Sequence, residues 1–82
     1  MTTVHAEKGQ TISLVWFDSS CLHGWVYDDI VAQPKQIESV GFVVSVDEDA
    51  IALTSARSDS GGVISPLIIP LSCIQSYKII EL

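Results

Sequence analysis

Glu38-Ser39-Val40-Gly41-Phe42-Val43-Val44-Ser45-Val46-Asp47-Glu48-Asp49-Ala50-Ile51-Ala52-Leu53-Thr54 consists of two apolar arms around an acidic tip. Each arm is rich in β-branched residues, and no apolar repeat at three- and four-residue spacing runs through it. That is the signature of extended chain. In a strand, Val40, Phe42, Val44 and Val46 share one face, and Gly41, Val43 and Ser45 share the other. Asp47-Glu48-Asp49 is the turn, and Ile51 and Leu53 continue on the far side, so the stretch is predicted to be a β-hairpin. Gly41 inside the first arm predicts a bend, a bulge or a close backbone approach, because glycine packs nothing and leaves room for a neighbouring chain.

Outward from the hairpin, the same pattern recurs in shorter pieces. Residues 11–17 alternate, with Ile12, Leu14 and Trp16 on one face, and end at Asp18-Ser19-Ser20. Trp25-Val26-Tyr27 is a short apolar piece between Gly24 and Asp28-Asp29. Residues 30–36 read as a loop, since Pro34 donates no ladder hydrogen bond and disfavours helix before it. Ser58-Asp59-Ser60-Gly61-Gly62 is a connector. Leu67-Ile68-Ile69 reads as a strand, Pro70-Leu71-Ser72-Cys73 as one tight helical turn, and Ile74 to Leu82 as a last strand. The expectation is an all-β domain over 11–82, a small five-stranded, strongly bent antiparallel barrel, after a flexible segment at 1–10.

Composition narrows the function. The chain of 82 residues is 48% hydrophobic and 17% charged. A chain this short buries only about 60–65% of its unfolded surface. So much apolar content therefore points to a subunit interface as extra cover. Ten acidic and four basic residues give a net charge of −6, and Lys8, Lys35, Arg57 and Lys78 form no run. Phosphate neutralisation needs clustered cations, so nucleic acid and anionic lipid are disfavoured partners. Met1 to Gln10 carries no apolar export signal, and no apolar stretch is long enough to cross a bilayer. These features predict a cytoplasmic protein in which Cys21 and Cys73 are reduced thiols.

Several groupings invite chemical readings, each with a plainer rival. Asp18, Ser19, Ser20, Cys21 and His23 hold the residue types of a nucleophilic site, but they are local and lack a strained elbow; turn chemistry explains them. Cys21 and His23 with Cys73 and His5 supply zinc-ligand types, yet only one close pair exists where structural zinc uses two. Asp47-Glu48-Asp49 lacks the length and glycine of a calcium loop, and Gly61-Gly62 lacks the lysine and helix of a phosphate loop. No cofactor or metal is therefore expected, and the chain is read as not an enzyme. Trp16, Trp25, Tyr27, Phe42 and Tyr77 are core-sized side chains. Trp25 and Tyr27 stand in an irregular, acidic neighbourhood and are the candidates for a binding surface.

The run Val40-Gly41-Phe42-Val43-Val44-Ser45-Val46-Asp47 resembles the first motif of Sm-like proteins, in which a glycine bends the second strand and an aspartate follows six positions later at the hairpin tip. Leu67 to Ile74 is similar to the two short strands and turn that close the Sm barrel. Trp16-x-Asp18, Gly24-Trp25, Ser39-Val40-Gly41-Phe42 and Ile69-Pro70 together look like small SH3-like barrel proteins of unknown function encoded by tailed phages and prophages. The resemblance covers about residues 11–82. It implies the barrel, assembly into rings, and residence in the host cytoplasm. The RNA-contacting positions of Sm-like proteins do not carry over: Ile51 stands where the asparagine belongs, and Pro70-Leu71-Ser72-Cys73 replaces the basic closing turn.

The resulting expectation is a non-catalytic phage-type accessory or assembly protein working through homo-oligomerisation and contacts with itself or another phage protein. Its interface is expected on the edge strands, at Leu67, Ile68, Ile69, Ile79 and Ile80. The alternative is an Sm-like single-stranded nucleic-acid-binding module with an atypical site, stacking bases on Trp25 and Tyr27. A third reading is an enzyme centred on Cys21 and His23. For the charge argument, titration with a uridine-rich single strand at about 150 mM salt is expected to show no binding at micromolar protein. Micromolar or tighter binding would overturn it.

Overall fold

The computed structural model describes residues 3–19, 22 and 24–81. It is one antiparallel sheet of five strands: β1 (Thr11–Asp18), β2 (Lys35–Val46), β3 (Ala50–Thr54), β4 (Leu67–Pro70) and β5 (Ile74–Ile80). A single 3-10 turn, Leu71–Cys73, is the only helical piece among the described residues. The spatial order is β4-β3-β2-β1-β5, so β4 and β5 are the two edges. The alternating segments of the sequence thus become strands, and the turn at Pro70 to Cys73 lies where its proline and short polar residues place it.

That order has a geometric consequence. In a flat sheet, β4 and β5 would stand four strand spacings apart, roughly 19 Å. Only Leu71–Cys73 separates them in sequence, and a 3-10 turn advances about 2 Å per residue. The sheet must therefore curl until its edges approach each other at Pro70 and Ile74. Leu71 secures the corner: its side chain is buried, and its N–H donates to the Asp49 carbonyl at 2.8 Å, one step beyond the Ala50–Pro70 pair of the β3–β4 ladder.

The core is a single cluster. Ile12, Leu14 and Trp16 of β1 point inward together, as their alternation predicts, and meet Val43, Ile51, Leu53, Ile69, Leu71 and Ile74. Ile12, Leu14, Ile51 and Ile69 are fully enclosed. Trp16 keeps a polar link by donating from Nε1 to Ser39 Oγ at 3.1 Å. Val4 is also buried in this cluster, and Gly9 N–H donates to the Val43 carbonyl at 2.8 Å. Part of the segment read from sequence as flexible therefore lies against the sheet.

β2 departs from the sequence reading twice. It starts at Lys35, inside the expected loop, because β1 offers partners as far as Asp18 and pairs it with Lys35. Pro34 merely sets the boundary. The single face expected for Val40, Phe42, Val44 and Val46 is also broken. Val43 pairs with Leu53 but Ser45 pairs with Ala52, so Val44 is an extra residue. The bulge reverses the alternation: Gly41 and Val43 face inward before it, Val46 packs on the core after it, and Val40 is left exposed.

Gly41 serves close approach rather than the bulge itself. A Cβ there would stand 2.8 Å from the Thr54 carbonyl oxygen and 3.5 Å from Leu53 Cβ. Backbone sets the shorter distance, so no side-chain rotation relieves it. Gly41→Ala is expected to lower stability by about 1–3 kcal/mol, the usual cost of forcing a methyl group into a packed site. Denaturant unfolding should show a reduced midpoint at unchanged slope. A midpoint equal to wild type would refute the close approach.

Candidate interaction surface

Each edge strand has a neighbour on one side only. Within β4, Leu67 and Ile68 are exposed, Ile68 by 68% of its surface, whereas Ile69 is fully buried. Ile69 therefore belongs to the core, and only its backbone can reach a partner. Its burial follows from its pairing with Ile51, which sets that position on the inner face. On β5, Ile79 and Ile80 are half-buried, and Ile79 packs against the core beneath it. The five predicted interface residues thus lie on the two edges, but their side chains divide between the outer surface and the core. Pro66 precedes β4 and Pro70 is its last residue, so its open strip is short, and it carries no charge.

Beyond the end of the β1–β2 ladder at Asp18 and Lys35, residues 24–34 form neither strand nor helix. Trp25 is 90% exposed and Tyr27 91% exposed, with Ile30 and Val31 also in solvent. Scattered exposed apolar residues are ordinary, whereas two exposed aromatics flanked by aliphatics in one segment make 24–34 a candidate interaction surface. The molecule measures 51 × 26 × 23 Å with a radius of gyration of 15.3 Å. A compact chain of this length would have a radius near 12 Å, so the ladder and segment 24–34 extend beyond the core.

The other end of the ladder carries a different feature. Arg57 Cζ lies over the Phe42 ring, 4.2 Å from its centroid, and the guanidinium donates from Nη1 to the Gly9 carbonyl at 3.1 Å. Beside it is a cavity of about 260 Å³ whose lining includes Lys8, Phe42, Arg57, Ser58 and Val63 and no carboxylate. The loop holding Arg57 is fixed from within. The buried Thr54 hydroxyl lies 2.7 Å from the Ile64 carbonyl and 2.8 Å from that of Ala56, and accepts from the Ile64 N–H at 3.2 Å. Ser58 closes the Ser58–Gly62 turn by accepting the Gly62 N–H at 2.9 Å. In the sequence, residues 58–62 read only as a connector. Two cations brought together from positions 8 and 57 leave no local signal in the chain.

The chemistry-bearing groupings resolve unevenly. Ser20, Cys21, His23 and Leu82 lie outside the described residues, so the Cys21 and His23 constellations do not enter the geometry. Cys73 is a half-buried free thiol. Among the described residues, no three His, Cys, Asp or Glu side chains gather as metal ligands, and no helix is long and apolar enough to cross a membrane. No family model matches the chain, and no curated protein or solved structure matches it.

The acidic tip has a structural role. Asp47 Oδ1 accepts the N–H groups of Asp49 and Ala50, both at 2.8 Å. These two bonds, that from Asp49 first, hold the Asp47 carboxyl below its ordinary value. Because the folded value is depressed, the stabilisation is present above the unfolded value of about 3.9 and is lost as pH falls through the folded one. Asp47→Ala is expected to unfold at a lower temperature than wild type at neutral pH. The difference should shrink as pH falls below that value. Parallel melting curves across acid pH would argue against the bonded carboxylate.

Proposed function

We propose that the chain is a non-catalytic accessory or assembly protein of phage type, an Sm-like barrel that works in the cytoplasm by assembling with itself. The observation that carries this reading is the pair of unlike sheet edges. One is short, uncharged and apolar; the other is longer and holds Lys78 beside Ile79 and Ile80. Pairing β4 of one copy with β5 of the next would satisfy both rows of backbone groups. Unlike surfaces make such a contact head-to-tail, and it closes into a ring where the rotation permits. The barrel is supported by the strand order, by the short link that forces the sheet to curl, and by Gly41 at its close approach. The phage connection rests on the sequence resemblance alone.

Full exposure of Trp25 and Tyr27 favours the nucleic-acid alternative, since both rings are free to stack on bases. Asp28 and Asp29 beside them oppose an approaching phosphate, which is why we place that reading second. Light scattering at micromolar protein is expected to give a mass several times that of the 8.9 kDa chain. Ile68→Lys, at an exposed position, should reduce that mass without loss of folded signal. A wild-type monomer, or an Ile68→Lys variant of unchanged mass, would defeat the edge contact.

A further inference from the structure

The exposed aromatic segment and the basic cavity lie at opposite ends of one ladder. Segment 24–34 follows the Asp18–Lys35 pair, and the cavity adjoins Phe42, which pairs with Thr11. Seven residue steps of about 3.3 Å separate the two, roughly 23 Å. A surface at one end of a molecule that complements a surface at the other is arranged to meet a second copy.

The complementarity is chemical as well as positional. Trp25-Val26-Tyr27-Asp28-Asp29 places an exposed aromatic directly before two carboxylates. The cavity places two cations, Lys8 and Arg57, beside the apolar surface of Phe42 and Val63. Glu7 and Asp59 neighbour these cations in sequence, but neither lines the cavity. At about 260 Å³ it is smaller than most sites for drug-sized ligands, which begin near 300 Å³, and suits a single side chain. Arg57 is already held by Phe42 and the Gly9 carbonyl, so little further ordering of its guanidinium is needed on binding.

We propose that the cavity beside Lys8, Phe42, Arg57 and Val63 receives the Tyr27 ring of a second copy, with Asp28 and Asp29 of that copy set against Lys8 and Arg57. The contact is head-to-tail. It deepens the self-association reading by naming a second surface, separate from the strand edges. In a chain of net charge −6, a docking partner that is itself acidic needs a local positive site. This cavity brings together two of the four basic residues.

The test uses the full chain with a photo-crosslinking phenylalanine derivative at position 27, mixed with an isotopically labelled wild-type copy and irradiated at micromolar concentration. Mass spectrometry should find inter-copy adducts on residues 8–9, 42–44 or 57–63. Adducts only within one copy, adducts confined to β4 or β5, or no inter-copy adduct would overturn the docking. A charge swap supplies the second arm. Asp28→Lys with Asp29→Lys, and separately Lys8→Glu with Arg57→Glu, should each weaken self-association more than about tenfold, as like charges facing each other do. An equimolar mixture of the two variants should recover it, because each segment then meets a cavity of opposite sign. Failure of the mixture to recover would overturn the pairing even if each variant alone is weakened. The Ile68→Lys measurement reads the edge contact separately: retained Tyr27 adducts with unchanged Ile68→Lys mass would sustain the docking and defeat the edge reading.

Discussion

The link between β4 and β5 governs the rest of the molecule. It is only Leu71–Cys73 long, yet it joins the two outermost strands of a five-stranded sheet. No flat arrangement satisfies it, so the sheet curls and its inner face becomes an enclosed core. The curl explains why Ile69, Leu71 and Ile74, three apolar residues around one corner, are all buried although they belong to a sheet's edges. It also gives Gly41 its purpose. Strands forced into strong curvature approach each other closely, and the Thr54 carbonyl occupies the space a Cβ would need. The bulge at Val44 belongs to the same requirement, because an extra residue increases twist and returns Val46 to the core beyond it.

A core built this way is small. Among the described residues, the large side chains that are fully enclosed are Ile12, Leu14, Ile51 and Ile69, and most other apolar positions lie at the core's margin or in solvent. Backbone order is costly at about 1–2 kcal/mol per residue, so a domain of this size has little burial to spare. Leaving Trp25, Tyr27, Ile30, Val31, Leu67 and Ile68 uncovered therefore forgoes burial that the chain could use. Leu67 and Ile68 share one edge and the other four share segment 24–34, while Val40, Val63 and Ile64 are exposed elsewhere; the two clusters are what the assembly proposal rests on. Hydrophobic cover that the monomer lacks is supplied most economically by neighbours.

Much of this was legible in the residues. Alternation at Ile12, Leu14 and Trp16 gave the inner face of β1, and the Asp47–Asp49 tip between apolar arms gave the β2–β3 hairpin. Local pattern suffices where a strand keeps strict period two. It failed at Val40, because one extra residue at Val44 reverses every side chain across it and nothing in the run of valines marks which one is extra. It failed at Lys35 and Gln36 because pairing with Asp18 and Phe17 extends the strand through polar residues that carry no pattern of their own. Of the candidate surfaces, the acidic, irregular surroundings of Trp25 and Tyr27 singled them out but left their exposure open, and only the structure shows both rings in solvent. The division of Ile68 from Ile69 was not readable, since it depends on register against Ile51. The Lys8–Arg57 cavity was least readable, being created by two segments far apart in the chain.

Charge then decides what kind of assembly is physically open. Copies carrying −6 repel one another at long range, and at physiological salt that repulsion decays over about 8 Å. Association must therefore rest on contacts that desolvate apolar surface or place a cation against a carboxylate at short range. Asp47 is already engaged by its own turn, so the hairpin tip offers fewer free acceptors than its three carboxylates suggest. Asp28 and Asp29 stand in a segment that projects from the body, where they add repulsion unless a cation meets them. Lys8 and Arg57 are gathered at the opposite end of the ladder, against an apolar wall and away from those aspartates. The proposed contact sets Lys8 and Arg57 of one copy against those aspartates of the next, end to end. It does so by local pairing, because Lys35 pairs with Asp18 beside the acidic segment and Asp47 to Asp49 follow Phe42 toward the cavity's end, so that each end of the ladder carries both signs.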